Sequence, residues 1–479
     1  MYSVCSVGNS SQLPVAIVGG GITGLAAAHR LAVQGRPFRL FEASARLGGN
    51  ILTERTDEWL YEAGPNSLQL TPAVAALLGE LKLTPLHARP AAKNRYLVRD
   101  GRPVAAPSSP PAFLKSPLFS ASAKLRLLTE FLSRPRRRTA DLSLADFTRA
   151  HFGDELVNYA LRPFVSGVFA GDADQLSARL AFPALWEAER AHGSLLRAQL
   201  ASAKARRSRG EPAGPPPIVS FPNGLSELPG ALAARLPAGS ISLNTRVTAL
   251  TPPAAPGQPW QLHSTQSSAS ASGSASDSSR SALSSGLFSA VLLALPASAL
   301  ARLAIGPVDR PLAALADITC PPVSALFLGY RHDQVAHPLD GFGMLVPPAE
   351  RRSILGVLFN STLFPDRAPD GHHALTVMTG GALQPDLARL DHAELLPRVR
   401  ADLAALLGIR GEPVFIRRHV WPHAIPQYNL GYERFLETIA AVEAAHPGLF
   451  IGGHIRDGIS LPNCLAAGEK LAARTLPPL

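Results

Sequence analysis

Val15-Ala-Ile-Val18, then Gly19-Gly-Gly-Ile-Thr-Gly24, then an alanine-rich run from Leu25 to Gln34, then Phe38-Arg-Leu-Phe41 and Glu42, form one pattern. A short apolar run is the signature of a buried parallel strand. The alanine-rich run reads as a helix, with Gly35 at its end and Pro37 preventing its continuation. Each glycine has a separate task. Gly19 permits a tight turn, Gly21 lets the backbone approach a pyrophosphate, and Gly24 lets helix and strand pack closely. The free N–H groups of the helix start suit a phosphate, and Gly20, Ile22 and Thr23 are counted with the cofactor-binding residues. Glu42, 18 residues beyond Gly24, is placed to accept both hydroxyls of a ribose. Strand, glycines, helix, strand and acid in register imply a dinucleotide-binding α/β unit.

Around that unit the bulk numbers set bounds. A chain of 479 residues suggests two or three domains. Three cysteines, Cys5, Cys320 and Cys464, stand without a CxxC pair, so a disulfide framework or thiolate metal site is not expected and a reducing cytoplasm fits. No metal is expected from the histidines either: there is no HExxH, and His372-His373 reads as loop. The net charge of +10 favours anionic partners. Residues 1–13 read as a disordered tail without a secretory signal. The most apolar run, Ala290 to Leu300, is too short for a membrane span and carries Pro296 and Ser298.

The charge is concentrated. Between Lys115 and Arg138 seven cations stand against Glu130, interleaved with Leu114, Leu118, Phe119, Leu125, Leu127, Leu128, Phe131 and Leu132. An apolar face rimmed with cations suits a membrane surface or an acidic partner. A solvated helix with an ordinary core stripe fits the same pattern. Nucleic acid is not expected, because no base-stacking aromatic set accompanies the charge. Pro103 to Pro117, Arg206 to Pro217 and the serine-rich Ser264 to Gly286 read as loops, the last disordered between strands at Trp260–His263 and Ala290–Ala294.

Ala43-Ser-Ala-Arg-Leu-Gly-Gly49, with Asn50 after it, resembles the segment that follows the first unit in the FAD-dependent amine oxidase and desaturase superfamily. There an arginine and paired glycines run along the flavin, and Arg46, Gly48 and Gly49 match. Gly64-Pro-Asn66, followed by Ser67, resembles the flavin-contacting turn of the same superfamily. FAD is therefore the expected cofactor. Gly448-Leu-Phe-Ile-Gly-Gly453 and Asp457-Gly-Ile-Ser460, leading into a helix from about Pro462, agree with this. A helix start aimed at the flavin stabilises the negative charge of its reduced ring.

Further segments resemble one branch, the protoporphyrinogen oxidases. They include Arg162-Pro-Phe-Val-Ser-Gly-Val-Phe-Ala-Gly-Asp172, Phe182-Pro-Ala-Leu-Trp-Glu-Ala-Glu-Arg190, Tyr96-Leu-Val-Arg-Asp-Gly101, Gly341-Phe-Gly-Met-Leu-Val-Pro347 and Trp421-Pro-His-Ala-Ile-Pro-Gln-Tyr428. The resemblance implies roles. Arg99, which on the residues alone reads as a surface arginine in a hairpin, matches an arginine that holds a propionate. Gly167 matches the glycine beside the reacting methylene bridge, the catalytic position. Leu345 and Leu358 match the apolar residues that sandwich the macrocycle. Met378 falls where plant enzymes carry a stacking aromatic residue. Val247, otherwise an ordinary strand residue, matches the adenine side. Trp421, His454, Ile459, Ser460 and Leu461 complete the cofactor set.

The implied fold is α/β and α+β in three parts. A discontinuous Rossmann-like FAD domain covers residues 12–86, 218–300 and 441–479. A mixed-sheet substrate domain covers 87–104 and 301–440. A helical, membrane-associating domain covers 105–217. The implied activity is oxidation of protoporphyrinogen IX to protoporphyrin IX, six electrons in three flavin cycles, with dioxygen reduced to hydrogen peroxide. A homodimer, cytoplasmic and peripheral on the membrane, is implied as well. Oxidation of coproporphyrinogen III, an amine oxidase or carotenoid desaturase activity, and a basic binding protein with a vestigial dinucleotide fold are the alternatives.

Overall fold

The computed structural model describes residues 13–135, 138–210, 214–266, 282–306 and 310–475. Outside them lie Arg136 and Arg137 of the basic stretch, the core of the serine-rich loop, and all but Leu13 of the expected N-terminal tail.

Val15–Val18 forms the middle of a five-stranded sheet in the order Ile241–Ser242, Phe38–Phe41, Val15–Val18, Ala290–Leu293, Leu449–Ile451. Every pairing in it is parallel. Such strands are buried on both faces, and all four residues of Val15–Val18 are buried. The helix Ile22–Val33 begins earlier than expected, directly on the glycine turn, with Gly21 as its N-cap. The last helix, Leu461–Ala473, lies against it. A Cβ on Gly468 would stand 2.3 Å from the carbonyl oxygen of Thr23, so glycine is what allows this approach.

The serine-rich stretch differs from expectation. Both ends of the expected loop Ser264 to Gly286 are strand: Trp260–Gln266 pairs with Ala282–Phe288 in an antiparallel ladder within a separate four-stranded sheet. Small and β-permissive residues extend both strands into the serine run, while the apolar Ala290–Leu293 is claimed by the parallel core. His372 and His373 are likewise not in a loop but open the strand His372–Gly380, paired with Arg331 and Tyr330. Within the two stretches read as loops, Arg102–Ala105 is a strand, Pro110–Lys115 a helix, and the helix Leu195–Ser208 runs into the expected linker.

A seven-stranded mixed sheet runs Phe415–Trp421, Val323–Arg331, His372–Gly380, Gly356–Leu358, Gly341–Leu345, Asn94–Arg99, Arg102–Ala105. Its one face packs Leu326, Leu328, Met344, Val357, Leu375 and Val377 against Leu395, Val399 and Leu403 of the helix His392–Leu407. Between Asn94–Ala105 and Ile218 the chain is mostly helical, from Pro110 to Ser208. That segment is tied inside by charge. His151 sits between Glu130 (2.9 Å) and Glu189 (3.1 Å), Arg138 pairs with Glu189, and Glu130 accepts the Leu195 N–H at a helix start. All three of His151, Glu130 and Glu189 are buried, so each polar group needs these partners.

Candidate functional site

The glycine turn meets the requirement of a dinucleotide site. Gly19 has φ +108°, and a Cβ there would lie 2.4 Å from the carbonyl oxygen of Ala294. A Cβ on Gly24 would stand 1.9 Å from the carbonyl oxygen of Gly19. Gly21 is different: its Cβ would meet nothing closer than the Gly49 Cα at 3.9 Å. Protein packing therefore demands Gly19 and Gly24 but leaves open space at Gly21, where only a ligand needs the backbone bare. The first N–H groups of the helix lack intrahelical acceptors, and such donors fit a pyrophosphate. Glu42 closes the unit, its carboxylate accepting from the N–H of Gly20 (2.7 Å) and of Ser44 (2.8 Å).

The other sequence-predicted cofactor residues gather along this edge. Gly21 and Gly48 form an isolated parallel bridge, and a Cβ on Gly49 would lie 3.1 Å from the Gly21 Cα. Arg46, beside Ala43 and Ser44, folds back on its own loop and donates to the carbonyls of Gly49 (2.6 Å) and Ile51 (3.0 Å), shaping the loop from within. The Gly64-Pro65-Asn66-Ser67 turn packs on Asn50, whose carbonyl oxygen lies 1.8 Å from the Cβ that Gly64 lacks. Val247 is two residues beyond Thr245, whose N–H donates to the Glu42 carbonyl, so it borders the acid. From the C-terminal part, Gly453 faces Thr23, and Ser460 caps the last helix by accepting from Asn463 N–H. Ile459 and Leu461 flank that cap, and burial lowers the imidazole of His454 to about 4, leaving it neutral.

Three of the residues that the resemblance assigns to the substrate, Leu345, Leu358 and Met378, lie on the second face of the seven-stranded sheet. Leu345 is paired with Gly356, and Gly356 with Met378, so the three stand in one row, with Leu358 in the next. Leu345, Leu358 and Met378 are each only half-buried, whereas Met344, Val357 and Val377 between them are buried in the opposite face. This alternation leaves an apolar, partly open surface. Gly167 stands over it in a π-helical turn, Val165–Phe169, where a Cβ would be 2.4 Å from Leu345 Cδ2. The flavin-type turn meets the same surface: Asn66 Oδ1 accepts from Asn360 Nδ2 (2.9 Å), and Trp421 Nε1 donates to the Ala63 carbonyl (2.6 Å). The turn that follows the dinucleotide unit and the sheet are thus joined directly by hydrogen bonds.

Arg99 is the exception to this convergence. Its Nη1 donates to Glu155 Oε1 (3.0 Å) and the Leu118 carbonyl (2.9 Å), and its guanidinium lies 3.8 Å over the Tyr159 ring. Burial works against the Glu155 charge, but hydrogen bonds from the Ser120 hydroxyl and N–H and from Arg99 hold it below its ordinary value. Glu155 and Arg99 are 56 residues apart, and no sequence signal linked them.

Two residues escaped sequence reasoning although their segment was singled out. Gln427, 2% exposed, donates from Nε2 to the Phe169 carbonyl at the end of the Gly167 turn (2.8 Å). The adjacent Tyr428 hydroxyl accepts from Gly458 N–H (3.0 Å) and donates to the His454 carbonyl (2.8 Å), and burial pushes its phenol up. Together they strap the turn carrying Gly167 to His454 and Gly458.

Residues 22–476 match the family model described as flavin containing amine oxidoreductase. The chain is 33% identical to protoporphyrinogen oxidase 2 of Arabidopsis thaliana, covering 96% of this chain and 92% of that one. It is 34% identical to protoporphyrinogen oxidase of Bos taurus, covering 96% and 98%. The chain belongs to the flavin-containing amine oxidoreductases and, among them, to the protoporphyrinogen oxidases. A solved structure from Exiguobacterium sp. 255-15 has the same fold, with a TM-score of 0.76 at 23% identity over 96% of this chain and 98% of that chain. As a member of this flavoprotein family the chain is an FAD-dependent oxidoreductase.

Proposed function

We propose that this chain oxidises protoporphyrinogen IX to protoporphyrin IX. The observation that carries the reading is the half-open apolar row of Leu345, Leu358 and Met378, facing Gly167 on a sheet that hydrogen bonds join to the turn following the dinucleotide unit. A flat or saucer-shaped hydrophobic macrocycle needs such a surface. A bound FAD would supply two-electron chemistry: in each of three cycles a hydride would leave a methylene carbon and a proton would leave a pyrrole N–H, and those two electrons and two protons would reduce one dioxygen to hydrogen peroxide, so six hydrogens would consume three dioxygen.

The chain's own contribution is position. Gly19 to Thr23, Glu42, Arg46 and the turn Gly64 to Ser67 hold the cofactor, with Val247, Trp421, His454 and Ile459 to Leu461 completing the cradle. Leu345, Leu358 and Met378 cover the macrocycle and exclude water, and the bare Cα of Gly167 lets its edge come close. Arg99, already balanced by Glu155, serves a propionate by exchanging partners. No acid–base pair faces Gly167 among the described residues, which suits a reaction that needs orientation rather than a strong base.

By the same family resemblance, the chain divides into the three parts at the residue boundaries given above, acts in the cytoplasm and forms a homodimer. Peripheral membrane contact through residues 105–217 has support in exposure. Leu125, Leu128 and Leu132 are 63%, 61% and 76% exposed, beside Lys124 and Arg126, whereas Leu118 and Phe119 of the same stretch are buried. No described helix is long and apolar enough to cross a membrane.

The test is an anaerobic and then aerobic assay of the purified holoprotein with protoporphyrinogen and coproporphyrinogen side by side. Fast flavin bleaching by protoporphyrinogen, with porphyrin fluorescence on adding oxygen, is expected. Preference for coproporphyrinogen transfers the reading to the four-propionate substrate. A bound flavin bleached by neither rules out porphyrinogens and leaves amines and polyenes.

A further inference from the structure

Gly167 belongs to a stretch that is not held by an ordinary helical ladder. Val157–Leu161 and Val165–Phe169 are both π-helical, separated by one short α-helical piece at Arg162–Phe164. Such turns have wide, poorly packed ladders and recur at functional sites. The second one ends abruptly. Ala170 takes a left-handed φ of +53°, so the chain turns away and the helix no longer supplies donors to the carbonyls of Phe169 and Ala170. Both carbonyls are bonded from outside. The Ala382 N–H, just past the strand His372–Gly380, donates to Ala170 (2.8 Å). Gln427 Nε2 donates to Phe169 (2.8 Å) and to Ile425 (3.0 Å), so both hydrogens of its amide nitrogen are used.

Gln427 is placed for that nitrogen at the expense of its oxygen. Its Oε1 is buried and accepts no hydrogen bond among the described residues. The oxygen is pressed instead on Gly171, where a Cβ would lie 2.2 Å from it. Turning the amide over would set Oε1 against two carbonyl oxygens, so its acceptors fix its orientation. A buried acceptor without a donor costs stability. Stability alone therefore does not account for a glutamine here. The next residue, Tyr428, is tied through its hydroxyl to His454 and Gly458. One dipeptide thus reaches both the turn over the apolar row and the C-terminal segment.

We propose that Gln427 is a positioning residue for the oxidation step. By holding the Phe169 carbonyl, it sets where the bare Cα of Gly167, and the substrate edge beneath it, stand relative to the segment that Tyr428 grips. The inference rests on the porphyrinogen reading above. The step it serves is the loss of a hydride from a methylene carbon together with a proton from a pyrrole N–H, with dioxygen as the final acceptor. Such transfer is steep in distance: a displacement of about 1 Å slows it by up to about a hundredfold. The apolar row, which Gln427 does not touch, still binds the macrocycle.

The experiment compares wild-type holoprotein with Gln427→Met and Gly171→Ala. The first keeps the length and removes the donor. The second leaves the glutamine in the chain and pushes its amide aside. Anaerobic mixing with a range of protoporphyrinogen concentrations gives the limiting rate of flavin bleaching and the apparent dissociation constant. Equilibrium binding of protoporphyrin, flavin absorbance per chain and the rate of reoxidation by dioxygen are read beside them. Both variants are expected to lose at least about tenfold in limiting rate, with dissociation constant, porphyrin binding and reoxidation within about twofold of wild type. An unchanged limiting rate in Gln427→Met, or a loss confined to the dissociation constant, overturns the proposal. Equal slowing of bleaching and reoxidation also overturns it, because that marks a general disturbance of the cofactor. If Gln427→Met purifies without flavin, Gly171→Ala decides on the same criteria. Wild-type flavin that protoporphyrinogen does not bleach overturns the functional reading and this proposal with it, whereas normal wild-type bleaching with unaffected variants overturns only this one.

Discussion

At the dinucleotide edge the proposed binding surface is backbone, whereas at the apolar sheet face the backbone is spent in the ladder and only side chains are offered to a ligand. The first region depends on side chains that are missing. Gly19 and Gly24 are required by protein atoms, whereas Gly21 has open space beside it, which we propose a ligand takes. The second depends on side chains that are half-exposed by alternation, Leu345, Leu358 and Met378, and on one bare Cα, Gly167, above them. Substitutions should therefore fail differently in the two places. The dinucleotide edge should fail sharply, and the sheet face should yield by degrees.

The largest effect separates two glycines of one turn. Gly24→Ala puts a methyl group 1.9 Å from a backbone oxygen that cannot move without breaking the turn. It should cost at least about 3 kcal/mol and yield little soluble protein. Gly21→Ala meets no protein atom closer than 3.9 Å, so the chain should fold with an ordinary thermal midpoint yet purify colourless. Flavin absorbance per chain and melting temperature check both. A yellow, fully loaded Gly21→Ala protein would remove the distinction between packing glycines and ligand glycines.

The same contrast governs how much was legible in the sequence. Val15 to Glu42 states its own purpose, because a turn that tolerates no Cβ leaves a fixed spacing of glycines. Only the helix start was misplaced, at Leu25 instead of Ile22. The sheet face announces nothing comparable. Leu345 and Leu358 are ordinary strand residues until register sets them in neighbouring rows, and register is a long-range property. Resemblance pointed to them, but not to Gln427, whose role lies in a hydrogen bond to Phe169, 258 residues away. Arg99 shows the limit from the other side. Its residue type suits a propionate, but its partner Glu155 comes from a separate helix. The serine run misled because composition reported polarity, while the ladder there is backbone to backbone.

Glu62 sits on the seam between the two regions, at the end of the strand that leads into the Gly64 turn. It is 2% exposed, and burial raises its carboxyl to about 7, against the pull of Thr53, the Leu225 N–H and Arg367. Being raised, it binds a proton more readily folded than unfolded. The stability it contributes is present below its ordinary 4.5 and is lost as pH rises toward 7. Glu62→Gln keeps the shape and removes the charge. Measured by denaturant unfolding, the variant should gain on wild type between pH 5 and pH 8 by at most about 3 kcal/mol. A difference that stays constant with pH would mean the carboxylate is ionised throughout, and the seam would be polar rather than dry.

The mildest effect belongs to the sheet face. A methyl group on Gly167 would meet Leu345 Cδ2 at 2.4 Å, but that atom is the far end of a flexible side chain, and Leu345 has open space beside it. Gly167→Ala should therefore fold and hold flavin, with Leu345 pushed into the space reserved for the macrocycle. A fall of about tenfold in kcat/KM corresponds to about 1.4 kcal/mol, the scale of one displaced apolar contact. If displacement is the cause, Leu345→Ala in the same chain should restore part of the rate by making room, although alone it removes a substrate contact and slows the enzyme. Steady-state kinetics of the two single variants and the double variant measure the coupling. Losses that simply add would place Gly167 and Leu345 in separate roles, and the bare Cα would then matter for its own approach to the substrate rather than for the leucine beneath it.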